Sequence, residues 1–96
     1  MFGILIVMMH INNRGLGAID DDAERVREAL ANGDFRRLRE GVGMGLPMLA
    51  RSCDVSPGNL SRYERGLANP AGTTLRRLVV AWRELERMAR TRAVSS

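Results

Sequence analysis

The side chains in this sequence best equipped for chemistry are guanidinium forks. All 15 basic residues are arginine, and lysine does not occur. Each arginine presents a planar set of donors that matches a phosphate or the edge of a guanine better than a point charge does. Their distribution is uneven. Residues 1–34 hold three arginines against six acids, a net −3, whereas residues 35–96 hold twelve against five, a net +7. A polyanionic partner would therefore meet the second part of the chain.

Other chemistries find few candidates. His10 is the single histidine and Cys53 the single cysteine, and no glycine-rich phosphate loop or paired carboxylates accompany them, so no catalytic residue is assigned and an enzyme is not expected. Cys53 falls on an apolar helical position and reads as a core thiol. One cysteine cannot form an internal disulfide, and no ligand set at metal spacing exists, so neither zinc nor any other cofactor is expected and the chain reads as cytoplasmic. Three adjacent aspartates, Asp20, Asp21 and Asp22, could suggest a metal, but they precede an apolar helical stripe and suit its positive end. Asp20 or Asp21 is the candidate N-cap.

Those groups must be positioned by helices. Ninety-six residues make one domain, here residues 20–89. Ala23, Val26, Ala29 and Leu30 give the first helix one apolar stripe, which Asn32-Gly33 ends. Asp34 is a candidate cap for a second, short helix, with Phe35 and Leu38 inward, Arg36, Arg37 and Arg39 in solvent, and Gly41-Val42-Gly43 as breaker. A third begins near Leu46-Pro47 and carries Leu49, Ala50 and Cys53 on one face. Asp54 stands where a left-handed residue would stop it, Val55 turns inward, and Ser56 caps a fourth helix with Pro57 in its first turn and Leu60 and Tyr63 on its buried side. After the loop 66–72, Leu75, Leu78, Trp82, Leu85 and Ala89 recur at intervals of three and four, a helical seam running from about Thr73, its candidate cap, to Ala89, with a frayed tail at 90–96.

Outside this unit, Met1 to Met9 (MFGILIVMM) is apolar but too short for a membrane span, and it lacks the basic flank and cleavage site of a leader. Residues 1–19 are expected to be disordered or an upstream extension, or else a short β-arm that pairs with a second subunit or another protein. No membrane association is expected.

The run from Leu46 to Gly66 (LPMLARSCDVSPGNLSRYERG) resembles the helix-turn-helix of the phage repressor and Cro family, also called the xenobiotic-response-element family, and with its flanking helices the resemblance covers roughly residues 34 to 82. Ala50 is small where two helices would cross, and Leu49, Val55, Leu60 and Tyr63 form the shared core. The resemblance implies an all-α, lambda-repressor-like bundle of about five helices. It further implies that residues 56–65 form a recognition helix entering the major groove of double-stranded DNA. The outward positions there are Pro57, Gly58, Asn59, Ser61 and Arg62, with Ser56 at the cap and Arg65 at the far end. Asn59 can pair with adenine, Arg62 with guanine or a phosphate, and Ser61 with either. Around them Arg36, Arg37, Arg39, Arg51, Arg65, Arg76 and Arg77 could form a rim that follows the phosphates. Glu64 and Arg65 are expected to fix the helix end and the phosphate geometry.

The sequence departs from the family pattern at two places. Leu46 stands where members often carry a glutamine that contacts a phosphate, and Pro57-Gly58 stand where relatives often read bases. None of these three residues offers a polar side chain, although glycine permits close approach of backbone to phosphate at a helix N-terminus.

The expected function is that of a small phage or bacterial repressor, located in the host cytoplasm or nucleoid, binding an operator as a homodimer and occluding it. The alternatives are the antitoxin of a toxin-antitoxin pair and a helix-turn-helix retained for protein–protein interaction. For dimerisation, Trp82, Leu85, Met88 and Ala89 are the candidates, with the core closed by the seam up to Trp82 and the later residues extending toward a partner.

Overall fold

The computed structural model describes residues 21–95. The apolar run at 1–9, the rest of the segment to residue 19, and Asp20 as a cap lie outside the described residues. Five helices follow one another: α1 covers residues 21–32, α2 is Asp34–Gly41, α3 Leu46–Cys53, α4 Pro57–Glu64 and α5 Gly72–Ser95. No strand occurs among the described residues, in keeping with the all-α expectation. No helix there is long and apolar enough to cross a membrane.

The three middle helices are eight residues each, about 12 Å long and too short to persist alone in water. Their stability must come from a shared core. Each contributes an apolar face to it: Phe35 and Val42 from α2 and its cap, Leu49, Ala50 and Cys53 from α3, and Leu60 from α4. α1 adds Val26, Ala29 and Leu30, and α5 adds Leu75, Leu78, Val79, Ala81, Trp82 and Leu85. The Phe35 and Trp82 rings stack with centroids 5.6 Å apart, joining α2 to the long helix, in the offset arrangement aromatic pairs prefer.

The turns arise from specific residues. Gly33 adopts φ 90° and reverses the chain between α1 and α2 in a single residue, a conformation for which a side chain would be strained. Asp34 does not cap α2, contrary to expectation. Gly33 occupies that position, and it is the Asn32 side-chain carbonyl that accepts the Asp34 N–H at 2.8 Å. Asp34 pairs instead with Arg37 one turn on, which still places a carboxylate at the positive end of the helix.

α5 differs from expectation at both ends. It starts at Gly72, so Thr73 lies in its first turn and is not a cap, and it continues past Ala89 to Ser95. The segment Ala89-Arg90-Thr91-Arg92-Ala93 contains neither glycine nor proline, so nothing in it breaks the helix. α1 lies along α5 and is tied to it by ion pairs: Asp22 to Arg83 at 2.6 Å and Arg25 to Glu86 at 3.0 Å. Asp22 also accepts from Arg25, so this aspartate serves the helix packing.

The seam residues assigned to dimerisation are drawn into that packing. Trp82 is 9 % exposed and Leu85 only 1 %, because α2 and α3 pack against α5, with the Phe35 ring stacked on Trp82. Met88 and Ala89 are half-buried against the same core. Trp82 and Leu85 are thus core residues of the single chain, a correction to their expected role as a contact between copies.

Candidate nucleic-acid interface

The turn between α3 and α4 is built as its residue types demand. Asp54 takes the left-handed conformation, φ 58° and ψ 44°, the one non-glycine residue among those described with a positive φ. A short polar side chain tolerates that region better than a branched one. There the Asp54 N–H donates to the Arg51 carbonyl at 3.2 Å and the Val55 N–H to that of Ala50 at 2.9 Å, satisfying the end of α3. Val55 is half-buried, and Ala50, fully buried, lets the helices approach. Ser56 then opens α4, its Oγ accepting the Asn59 N–H at 3.1 Å, a side-chain cap of the preferred kind. Pro57 occupies the first turn, where no N–H is required.

On α4, Leu60 and Glu64 face inward and Tyr63 is half-buried. Gly58, Arg62 and Arg65 follow at intervals of four and three, so they share one outward face, and all three are exposed. Asn59 is exposed too, and its amide makes no hydrogen bond among the described residues, since the cap at this position uses only its backbone. Ser61, expected to point outward, is half-buried. Ser56 and Pro57 are exposed beside Gly58, where an added Cβ would meet nothing within 4 Å. The head of α4 therefore offers the Gly58 N–H and the Asn59 amide, with Arg62 one turn further along.

Arg39 overturns its assignment to the solvent-facing rim. It is 6 % exposed and forms a two-pronged ion pair with Glu64, itself 5 % exposed. Nε donates to Oε2 at 2.7 Å and Nη2 to Oε1 at 2.9 Å, while Nη1 donates to the Met44 carbonyl at 2.8 Å. These hydrogen bonds hold the guanidinium charged, its pKa raised chiefly by the Glu64 bond against the opposing effect of burial. The fork joins α2, the loop before α3 and the last residue of α4. Arg39 fixes the far end of α4 from below, and Glu64 does fix the helix end, through this partner.

The remaining arginines divide into two groups. Arg36 pairs with Glu40 at 3.1 Å, Arg37 with Asp34 and Arg77 with Asp54 at 3.6 Å, so acidic partners are less scarce around the turn than the charge count suggests. Each pair is exposed at the surface and weak in water. Arg51, Arg62, Arg65 and Arg76 are exposed and form no ion pair among the described residues. Three of these four lie on α3, on α4 or at its cap, which concentrates unneutralised positive charge on the helix-turn-helix itself.

Leu46, in the position where a phosphate-binding side chain would stand, is half-buried and packs against the core at the start of α3. Its leucine is explained by that packing. Cys53 is buried on the same helix, and burial pushes its thiol pKa up, away from the reactive thiolate.

A family model described as a helix-turn-helix domain matches residues 34–95, which is α2 through α5 and well over half of the chain. No curated protein and no solved structure matches it.

Proposed function

Because the chain belongs to the helix-turn-helix domain family, we propose that it is a sequence-specific regulator of transcription that inserts α4 into the major groove of double-stranded DNA and represses by occupying its operator. The observation that carries this reading is the head of α4: the exposed Gly58 backbone N–H, and, among the described residues, an Asn59 amide without an internal partner and an unpaired Arg62 one turn on. Asn59 reads adenine and Arg62 reads guanine, while Ser56 and the Gly58 backbone meet a phosphate. Arg51 and Arg65 supply affinity that does not depend on sequence, and the already paired Arg36 contributes less. Ser61, half-buried, plays a smaller part than Asn59.

Single half-sites read by two side chains give modest discrimination, so two copies on a palindrome, about one helical turn apart, complete the operator. Trp82 and Leu85 being interior, the copies meet through Ala89 and the turns of α5 beyond it.

Selection of bound duplexes from a random library tests the reading. The wild type should enrich a paired motif; Asn59→Ala and Arg62→Ala should each relax preference at one defined position while leaving the others. Absence of any salt-dependent binding to duplex DNA by the folded protein would overturn it.

A further inference from the structure

We propose that the ring of Pro57 reads the C5-methyl group of a pyrimidine in the major groove, so that the operator half-site holds a thymine beneath the head of α4. The inference rests on the DNA reading above and deepens it. Pro57 and Gly58 are the first two residues of α4, and both are exposed. Proline has no backbone N–H, and its carbonyl belongs to the helix ladder, so this residue has no hydrogen bond to give a base or a phosphate. What it presents to a partner is hydrocarbon, in a helix head whose other exposed side chains, Ser56 and Asn59, are polar.

Gly58 leaves room beside that ring. A Cβ added there would meet nothing within 4 Å, so the flank of α4 at this residue is open to a partner instead of being filled by the chain's own side chains. Arg62 stands one turn further along the same face. The Gly58 N–H runs along the helix axis and stays free for a phosphate while the bare flank of the residue meets a base edge. A base can therefore come close enough to touch the Pro57 ring.

The chemistry of the groove selects the ligand. Among the groups that base pairs expose there, the C5-methyl of thymine is the apolar one, and the rest are hydrogen-bond donors or acceptors. Pressed against a proline ring, a donor or acceptor loses its water without gaining a partner, whereas a methyl group buries hydrocarbon against hydrocarbon. Cytosine lacks that methyl and 5-methylcytosine carries it. Burial of one methyl group is worth about fourfold in affinity, or about sixteenfold over two half-sites.

Uracil provides the test, because it pairs and hydrogen-bonds as thymine does and lacks only the methyl. In the duplex selected by the wild type, each thymine of the half-site is replaced in turn by deoxyuridine and the affinity measured by fluorescence anisotropy. One position should lose about fourfold, and 5-methylcytosine there should bind more tightly than cytosine. Serine is accepted in a first helical turn, so Pro57→Ser should fold; it should bind the thymine and uracil duplexes equally at that position and keep the adenine preference assigned to Asn59. A selected half-site without thymine, or uracil as good as thymine at every position, would overturn the inference and leave the DNA reading standing, as expected if the ring instead lies on a deoxyribose. A loss that persists in Pro57→Ser would give the methyl contact to another side chain and overturn it too. Absence of duplex binding would remove both readings together.

Discussion

The carboxylate of Glu64 and the guanidinium of Arg39, twenty-five residues apart in sequence, meet through two hydrogen bonds of 2.7 and 2.9 Å beneath the helix-turn-helix. Removing one partner leaves the other charged and enclosed. Arg39→Ala or Glu64→Ala should therefore each cost about 3–5 kcal/mol, whereas the paired change Arg39→Met with Glu64→Leu should regain most of it. Urea unfolding of the three variants measures this. Single variants within about 1 kcal/mol of wild type would mean that water reaches the pair.

The cap on α4 gives a second expectation. Ser56→Ala deprives the Asn59 N–H of its acceptor and should lower stability by about 1 kcal/mol, while Ser56→Gly should cost only a few tenths. In a domain of this size 1 kcal/mol lowers the melting temperature by roughly 4–8 °C, well within calorimetric resolution.

Alkaline pH should destabilise the fold through Cys53. Burial raises the thiol pKa above its ordinary 9.0, so the thiol's contribution is fully present below that value and is lost as pH rises through the folded pKa. Arg39 shifts in the same direction, but its effect falls at the far alkaline end. Denaturant midpoints measured at pH 8 and pH 10 should drop in the wild type, and Cys53→Ala should remove part of that drop. Equal drops in both proteins would place the titration elsewhere.

Trp82 presents opposing effects in one side chain. Its indole Nε1 is buried without a hydrogen-bond partner among the described residues, a burden of about 1–3 kcal/mol. Trp82→Phe removes that burden while retaining a ring to stack on Phe35, so the net loss should stay under about 1 kcal/mol, against about 3–5 kcal/mol for Trp82→Ala. Thermal unfolding of the pair of variants distinguishes them.

In the proposed DNA complex the pairing state of each arginine should set the ranking of affinity. Arg62→Ala and Arg51→Ala each remove an unpaired charge and should reduce the slope of log affinity against log salt by about 0.9 for every phosphate no longer neutralised. Arg36→Ala should change it less, because Glu40 already neutralises that side chain. Titrations at three salt concentrations suffice, and an Arg36 effect equal to that of Arg62 would contradict the ranking.

Much of the helix-turn-helix could be read in the chain because its requirements are local. Asp54 in the left-handed turn, Ser56 as cap and Pro57 after it each satisfy a backbone need within a few residues. The pairs Arg36–Glu40 and Arg37–Asp34 are likewise legible from helical spacing alone. Arg39 is harder to read, although the signal exists: it lies four residues after Phe35 and three before Val42, on the buried face by position, but its charge argues for solvent until a carboxylate from another helix is known to wait there. Arg77–Asp54 is tertiary in the same way. Trp82 and Leu85 continue one seam, and periodicity cannot say whether a seam is covered by its own chain or by another. α2 and α3 decide that, and their docking is not encoded in the spacing of α5.

Gly58 has a consequence for redesign. Its backbone is ordinary helix and a Cβ there would meet open space, so nothing within the chain itself requires glycine at this position. Alanine or glutamine at 58 should strengthen α4 by up to about 1 kcal/mol, and glutamine would add a side chain aimed along the same face as Arg62. If α4 reads bases as proposed, position 58 is a vacant letter that a single substitution can fill without disturbing the scaffold beneath.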